Sequence, residues 1–180
     1  MFDGCRILDL SDEKGFLASK ILGDFGADVI KIEKPGGDPA RNIGPFYKGI
    51  EDPRKSLFWF ATNTSKRGIT LNIEASEGQE IFKELVKTAD IIIESSKPGY
   101  MDSIGLGFAE LKKTKPDIIL ASTTGFGQSG PYSQYETTDI IGTSMGGPAR
   151  IPGALGTAPV RMGRHHRGKH DCRHNGQAGT

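Results

Sequence analysis

Cysteine is scarce in this 180-residue chain: there are two, Cys5 and Cys172, near opposite ends. That spacing supports no disulfide framework, and reduced thiols are expected. No apolar run approaches the roughly 20 residues that cross a bilayer, and Met1-Phe2-Asp3-Gly4 lacks the basic-then-apolar layout of a secretory leader. A cytoplasmic protein without a membrane partner is the expectation. Charge of one sign is missing as well, with 23 Lys and Arg against 22 Asp and Glu for a net +1. Aromatics make up 8% and interleave with no basic stretch, so a nucleic-acid surface is not indicated. Histidine is absent from residues 1–163; all four lie in the tail Arg164 to Thr180, together with Cys172. Without that tail the chain carries 19 basic and 21 acidic residues, so the body is mildly acidic.

What is present is an alternation of short β-branched runs and helical patterns. Ile7-Leu8-Asp9-Leu10 reads as a strand. From Phe16 to Phe25, Leu17, Ile21, Leu22 and Phe25 fall at helical spacing before a stop at Gly26. Asp28 to Glu33 is a second strand, and a loop rich in Gly and Pro follows from Pro35 to Arg54. Ile69-Thr70-Leu71-Asn72-Ile73 reads as the next alternating element. Ser76 with Gln79 has the form of a capping box, and Ile81, Phe82, Leu85 and Val86 give the helix behind it one apolar face, ending near Ala89. Asp90 to Glu94 is an apolar strand of the kind buried on both faces. Phe108 to Lys113 predicts a helix halted by Pro116, and Asp117 to Ser122 repeats the strand pattern. Strand, helix, strand in this rhythm predicts an α/β fold with an open, mostly parallel, Rossmann-like sheet and flanking helices.

In such sheets ligands bind beyond the carboxyl ends of the strands. The loops there are Glu33-Lys34-Pro35-Gly36-Gly37, Glu94-Ser95-Ser96-Lys97-Pro98-Gly99 and Thr123 to Gln128. Two of them place a lysine beside Pro-Gly directly after a strand, which sets a cation near exposed backbone amides and suits phosphates. The same residues also describe an ordinary solvated turn. Gly105-Leu106-Gly107 lacks the preceding strand that a dinucleotide fingerprint needs. Asp139 reads as an N-cap for Ile140 and Ile141, and Trp59 with Phe58 and Phe60 as core or interface.

Gly26 to Asp38, Asn63 to Ile73, Asp90 to Gly99, Ala121 to Pro131 and Thr138 to Ile141 occur in the order, and with the character, of the matching segments of class III CoA-transferases, the formyl-CoA and crotonobetainyl/carnitine type. The chain resembles that family over about residues 4 to 163. The resemblance implies that residues 1–163 form an amino-terminal CoA-binding part of a larger fold, one that pairs as an interlocked homodimer. Coenzyme A or acyl-CoA would be a substrate alongside a carboxylic acid, with no permanently bound cofactor. It also implies CoA contacts for Lys34 and Lys97 and for the strand-end loop residues Ser95 and Ser96, with Leu71, Asn72 and Ile73 near the adenine end. Two positions depart from the family: Asp12-Glu13-Lys14-Gly15-Phe16 replaces a Gln-Ala-Gly-Pro-like turn, and Ser103 stands where some members carry an arginine.

In the family an aspartate attacks the donor thioester, forming a mixed anhydride and then an aspartyl thioester that the acceptor acid resolves. The resemblance places that aspartate after Pro159-Val160-Arg161-Met162-Gly163, where this chain has Arg164. Arginine is permanently cationic and no nucleophile. The tail beyond it shows no apolar helical face. Removing one extra base, a C, from the start of codon 164, read as CGA, returns aspartate followed by a small-residue apolar pattern, so a frame-shifted, disordered tail and an inactive chain are expected. Two alternatives stand beside this. An α-methylacyl-CoA racemase relative would need a histidine where Thr138 stands. A non-enzymatic nucleotide- or metal-binding domain could use the lysine loops, or His166, His170, Cys172 and His174.

Overall fold

The computed structural model describes residues 1–146. Arg164, the proposed boundary after Gly163, and the tail residues His166, His170, Cys172 and His174 lie outside the described residues. The chain divides into a unit Met1–Thr124 and a second unit from Gly125 onward.

The first unit is a five-stranded sheet, β1 (Arg6–Asp9), β2 (Asp28–Glu33), β3 (Lys66–Thr70), β4 (Ile91–Glu94) and β5 (Ile119–Ser122), in the order β3-β2-β1-β4-β5 with every pair parallel. Its helices are α1 (Phe16–Asp24), α2 (Leu57–Asn63), α3 (Ser76–Lys87), α4 (Tyr100–Ser103) and α5 (Phe108–Thr114). The period-2 geometry of a strand sorts side chains onto two faces. Leu8, Ile30, Ile32 and Ile92 pack with Phe82 and Val86 of α3, Met101 of α4 and Leu111 of α5. Ile7, Val29 and Ile93 form a second cluster with Ala27 and Leu22. Each such side chain taken fully out of water contributes about 2 kcal/mol before entropy is counted.

Several elements differ from the pattern read in the sequence. The stripe Leu17, Ile21 and Phe25 on α1 faces solvent, at 61, 44 and 53% exposure, while Phe16 and Ser19 seat the helix. Strand β3 runs Lys66–Thr70, so Leu71, Asn72 and Ile73 lie past its end. No capping box forms at α3: its N-cap is Ala75, without a side-chain bond, and the Gln79 amide donates instead to the Ile104 carbonyl at 2.9 Å. Ile81, assigned to the apolar face of α3, is 53% exposed. β5 starts at Ile119, not Asp117, and as an edge strand it leaves Ile119 58% exposed.

In the second unit Phe126, Tyr132 and Tyr135 cluster with ring centroids 5.3 to 6.3 Å apart, ahead of α6 (Asp139–Met145). The N-cap of α6 is Thr138. Asp139 is its first helical residue, where a carboxylate complements the positive end of the helix.

Candidate functional site

The strand order reverses at β1, which lies between β2 and β4. The loops leaving β1 and β4 therefore diverge and open a crevice at their carboxyl ends. Backbone and side chain tie that crevice together: the Asp12 amide donates to the Ser95 hydroxyl at 2.7 Å, and the Ser96 amide to the Glu94 carboxylate at 2.6 Å. A cleft of about 550 Å³ runs from there across the end of β2 to the segment after β3. Its lining includes Leu10, Ser11 and Asp12 from the β1 loop, Lys31 to Pro35, Asp38 and Pro39 from β2 and its loop, Leu71 to Glu74, and Ser96 and Tyr100.

Of the seven residues proposed from the sequence as CoA contacts, Lys34, Leu71, Asn72, Ile73 and Ser96 line this one cleft. Ser95 is buried, at 8% exposure, and accepts from Asp12 beneath the crevice. Lys97 is exposed and is not part of the lining. The early end of β3 is what delivers Leu71 to Ile73. The chain turns out of the sheet after Thr70, and Gly78 on α3 lies so close to it that a Cβ there would sit 1.8 Å from the Asn72 carbonyl oxygen. Only glycine admits that approach. Gly15 acts likewise at the start of α1, where a Cβ would meet Ser11 Cβ at 2.4 Å.

The loop carrying Lys34 is held from below. Arg41 bonds both oxygens of Glu33, at 2.6 and 2.7 Å, its guanidinium carbon lies 4.0 Å from the Trp59 ring centre, and the Asp38 amide donates to Glu33 at 3.0 Å. Burial works against the Glu33 charge, but these bonds outweigh it and keep the carboxyl below its usual range. They hold the Arg41 guanidinium protonated even more firmly than usual.

Four carboxylates line the cleft, an unpromising number for an anion site, but three are matched by cations: Asp12 by Lys14, Glu33 by Arg41 and Asp38 by Lys31. Lys34 is exposed and enters no ion pair among the described residues. It is the cation the cleft presents to a ligand. Also in the lining, Glu74 accepts the Tyr100 phenol at 2.7 Å, and this bond, with some burial, pushes the phenol up to about 12. The lining thus combines a cation suited to phosphate, the apolar side chains of Leu71, Ile73 and Ile32, and a carboxylate bonded to an aromatic phenol. Reasoning from the sequence missed Ser11, Lys31, Asp38, Glu74 and Tyr100. Lys31 was visible as the one charge inside the β2 pattern.

No metal-type cluster of three or more His, Cys, Asp or Glu occurs among the described residues. No described helix is long and apolar enough to cross a membrane.

Comparison with known proteins agrees with this geometry. A profile of CoA-transferase family III matches residues 2–166. The chain is 35% identical over 160 residues to the succinyl-CoA:(R)-benzylsuccinate CoA-transferase subunit of Thauera aromatica, covering 89% of this chain and 39% of that protein. It is 39% identical over 163 residues to human succinyl-CoA:glutarate CoA-transferase, covering 89% and 36%. The crystal structure of a CAIB/BAIF family protein from Brucella suis superposes with a TM-score of 0.82 at 35% identity, over 91% of this chain and 43% of that one. The chain spans about two-fifths of the length of these relatives. It belongs to CoA-transferase family III.

Proposed function

We propose that this chain is the amino-terminal, CoA-binding part of a transferase that moves CoA from an acyl-CoA to a carboxylic acid. The observation that carries the reading is the cleft at the strand ends, in which Lys34, a cation without an ion pair among the described residues, shares a lining with Leu71, Asn72, Ile73 and Ser96. A CoA phosphate meets Lys34, and the apolar side chains of the lining take the less polar length of the ligand. CoA is a substrate here, held reversibly. The intact protein works as a homodimer.

The transfer itself runs through an aspartyl anhydride and thioester, and the position for that aspartate holds Arg164. The chain as it stands binds CoA and does not transfer it. One extra base, a C, at the start of codon 164 explains both the arginine and the basic, histidine-bearing tail behind it. Reading the gene across codon 164 tests this: CGA, with an open frame one base on, supports it, and any other arginine codon contradicts it.

Isothermal titration of the 180-residue chain with CoA tests the binding claim. A single site whose affinity falls as salt rises is expected, because phosphate contacts are screened. Absence of binding at millimolar CoA and low salt contradicts the reading.

A further inference from the structure

A network of buried polar groups, which reaches the cleft lining at Ser11, Lys31 and Asp38, has no task in the proposed function. Lys66 Nζ is 2.9 Å from Asp9 Oδ2, and its side chain and that of Asp9 are 1 and 0% exposed. It also donates to the Phe16 carbonyl at 3.1 Å and the Asn63 side chain at 2.9 Å. Asp9 accepts from the Ser11 amide at 2.9 Å, the Ser11 hydroxyl at 2.6 Å and the Ser19 hydroxyl at 2.6 Å. Lys31, 2% exposed and opposite Asp9 in the sheet register, donates to the Ser11 carbonyl and faces Asp38 Oδ2 at 3.4 Å. The Lys31 and Lys66 ammoniums lie 4.8 and 5.1 Å from the centre of the Phe16 ring.

Two lysines balance two aspartates, so the cluster is neutral, as a buried set must be to be tolerated. Neutrality alone would be served as well by apolar residues of the same size. What apolar residues cannot do is join two loops. Lys31 touches Ser11 in the loop after β1 and Asp38 in the loop after β2, and both loops line the cleft. Between Glu33, clamped by Arg41, and Asp38, anchored by Lys31, runs the short segment that carries Lys34.

We propose that Lys31 is a positioning residue of the cleft: by bridging the Ser11 carbonyl and the Asp38 carboxylate it holds the Lys34 to Asp38 loop where Lys34 meets the phosphate of the ligand. This rests on the CoA-binding function proposed above. Asp38 allows the claim to be separated from folding. Its Oδ1 accepts from the Ala40 amide at 2.8 Å and caps the 3-10 turn Pro39–Asn42, while Oδ2 faces Lys31. Asparagine keeps the cap and loses the charge.

The test compares the 180-residue chain with Asp38→Asn, Lys31→Met, Lys34→Ala and the double variant D38N/K34A. CoA affinity is read by titration, amide hydrogen exchange over residues 33–41 by mass spectrometry, and the fold by circular dichroism and thermal midpoint. In D38N the fold is retained, exchange over residues 33–41 speeds up, and CoA binds about tenfold more weakly; adding D38N to K34A costs no further affinity, since the two act through one contact. Lys31→Met behaves as D38N if it folds, and D38N decides the matter if it does not. Unchanged exchange in D38N overturns the proposal, as does a loss of affinity that adds fully to that of K34A or appears only with loss of the fold. If the parent chain binds no CoA, the CoA-binding function falls and the exchange measurement alone decides the positioning claim.

Discussion

Arg41 grips Glu33 through two bonds, of 2.6 and 2.7 Å, while stacking at 4.0 Å on Trp59, so one side chain links the end of β2 to α2. Glu33 is 8% exposed, so little solvent reaches its carboxylate while Arg41 is in place. Arg41→Ala is expected to lower stability by about 2 kcal/mol, largely because it strands a buried carboxylate. Arg41→Lys recovers only part, since an ammonium cannot make the paired fork. Chemical denaturation of the three chains at neutral pH measures this.

The carboxyls of Asp9 and Glu33 sit below their usual ranges. Burial opposes both charges, but Lys31, Lys66 and two serine bonds overcome it for Asp9, and Arg41 for Glu33. A lowered folded-state pKa contributes stability that is present above the unfolded value and lost as pH falls through the folded one. The unfolded values are near 3.8 and 4.5, so denaturation midpoints should be flat from pH 7 to about 5 and drop below about 4. Asp9→Asn, compared with the parent across this range, should show a shallower acid limb.

How far these features could be read from the sequence depended on range. Strands β1, β2 and β4 were legible because a buried parallel strand writes itself as a continuous β-branched run, as in Ile91-Ile92-Ile93. The loops lining the cleft followed from the strand ends. The α1 face was misread because apolar residues mark a buried stripe only when something covers it. Here the inward positions are Phe16 and a serine, whose value lies in its bond to Asp9. Nothing local to Lys31 announces Ser11, 20 residues away, or to Glu74 announces Tyr100, 26 residues away. Such polar pairings are made by the fold, and only the resulting geometry reveals them.

Gly78 on α3 should tolerate no side chain. Gly78→Ala would drive its Cβ into the Asn72 carbonyl, where 1.8 Å is available. Alanine ordinarily strengthens a helix by about 1 kcal/mol relative to glycine, and here the sign reverses. The expected loss is roughly 1 to 3 kcal/mol, with displacement of Leu71 to Ile73 from the cleft. Thermal melts and CoA titration of the variant check both parts.

Tyr100 offers a spectroscopic marker of the cleft lining. Its hydrogen bond to Glu74 raises the phenol to about 12, so a late ionisation step is expected when absorbance near 295 nm is followed with pH. Its contribution to stability is full below about 10 and lost as pH rises through about 12. Glu74→Gln should bring that late ionisation down toward 10, the ordinary value. An unchanged titration would show that the pair is not formed.

The most direct test of the CoA-binding claim is an amide chemical-shift map of the isotopically labelled 180-residue chain titrated with CoA. The account predicts saturable shifts concentrated at Lys34, Leu71, Asn72, Ile73 and Ser96, all lining the cleft, and their weakening in Lys34→Ala. Shifts confined to other surfaces, or none at saturating CoA, would contradict it.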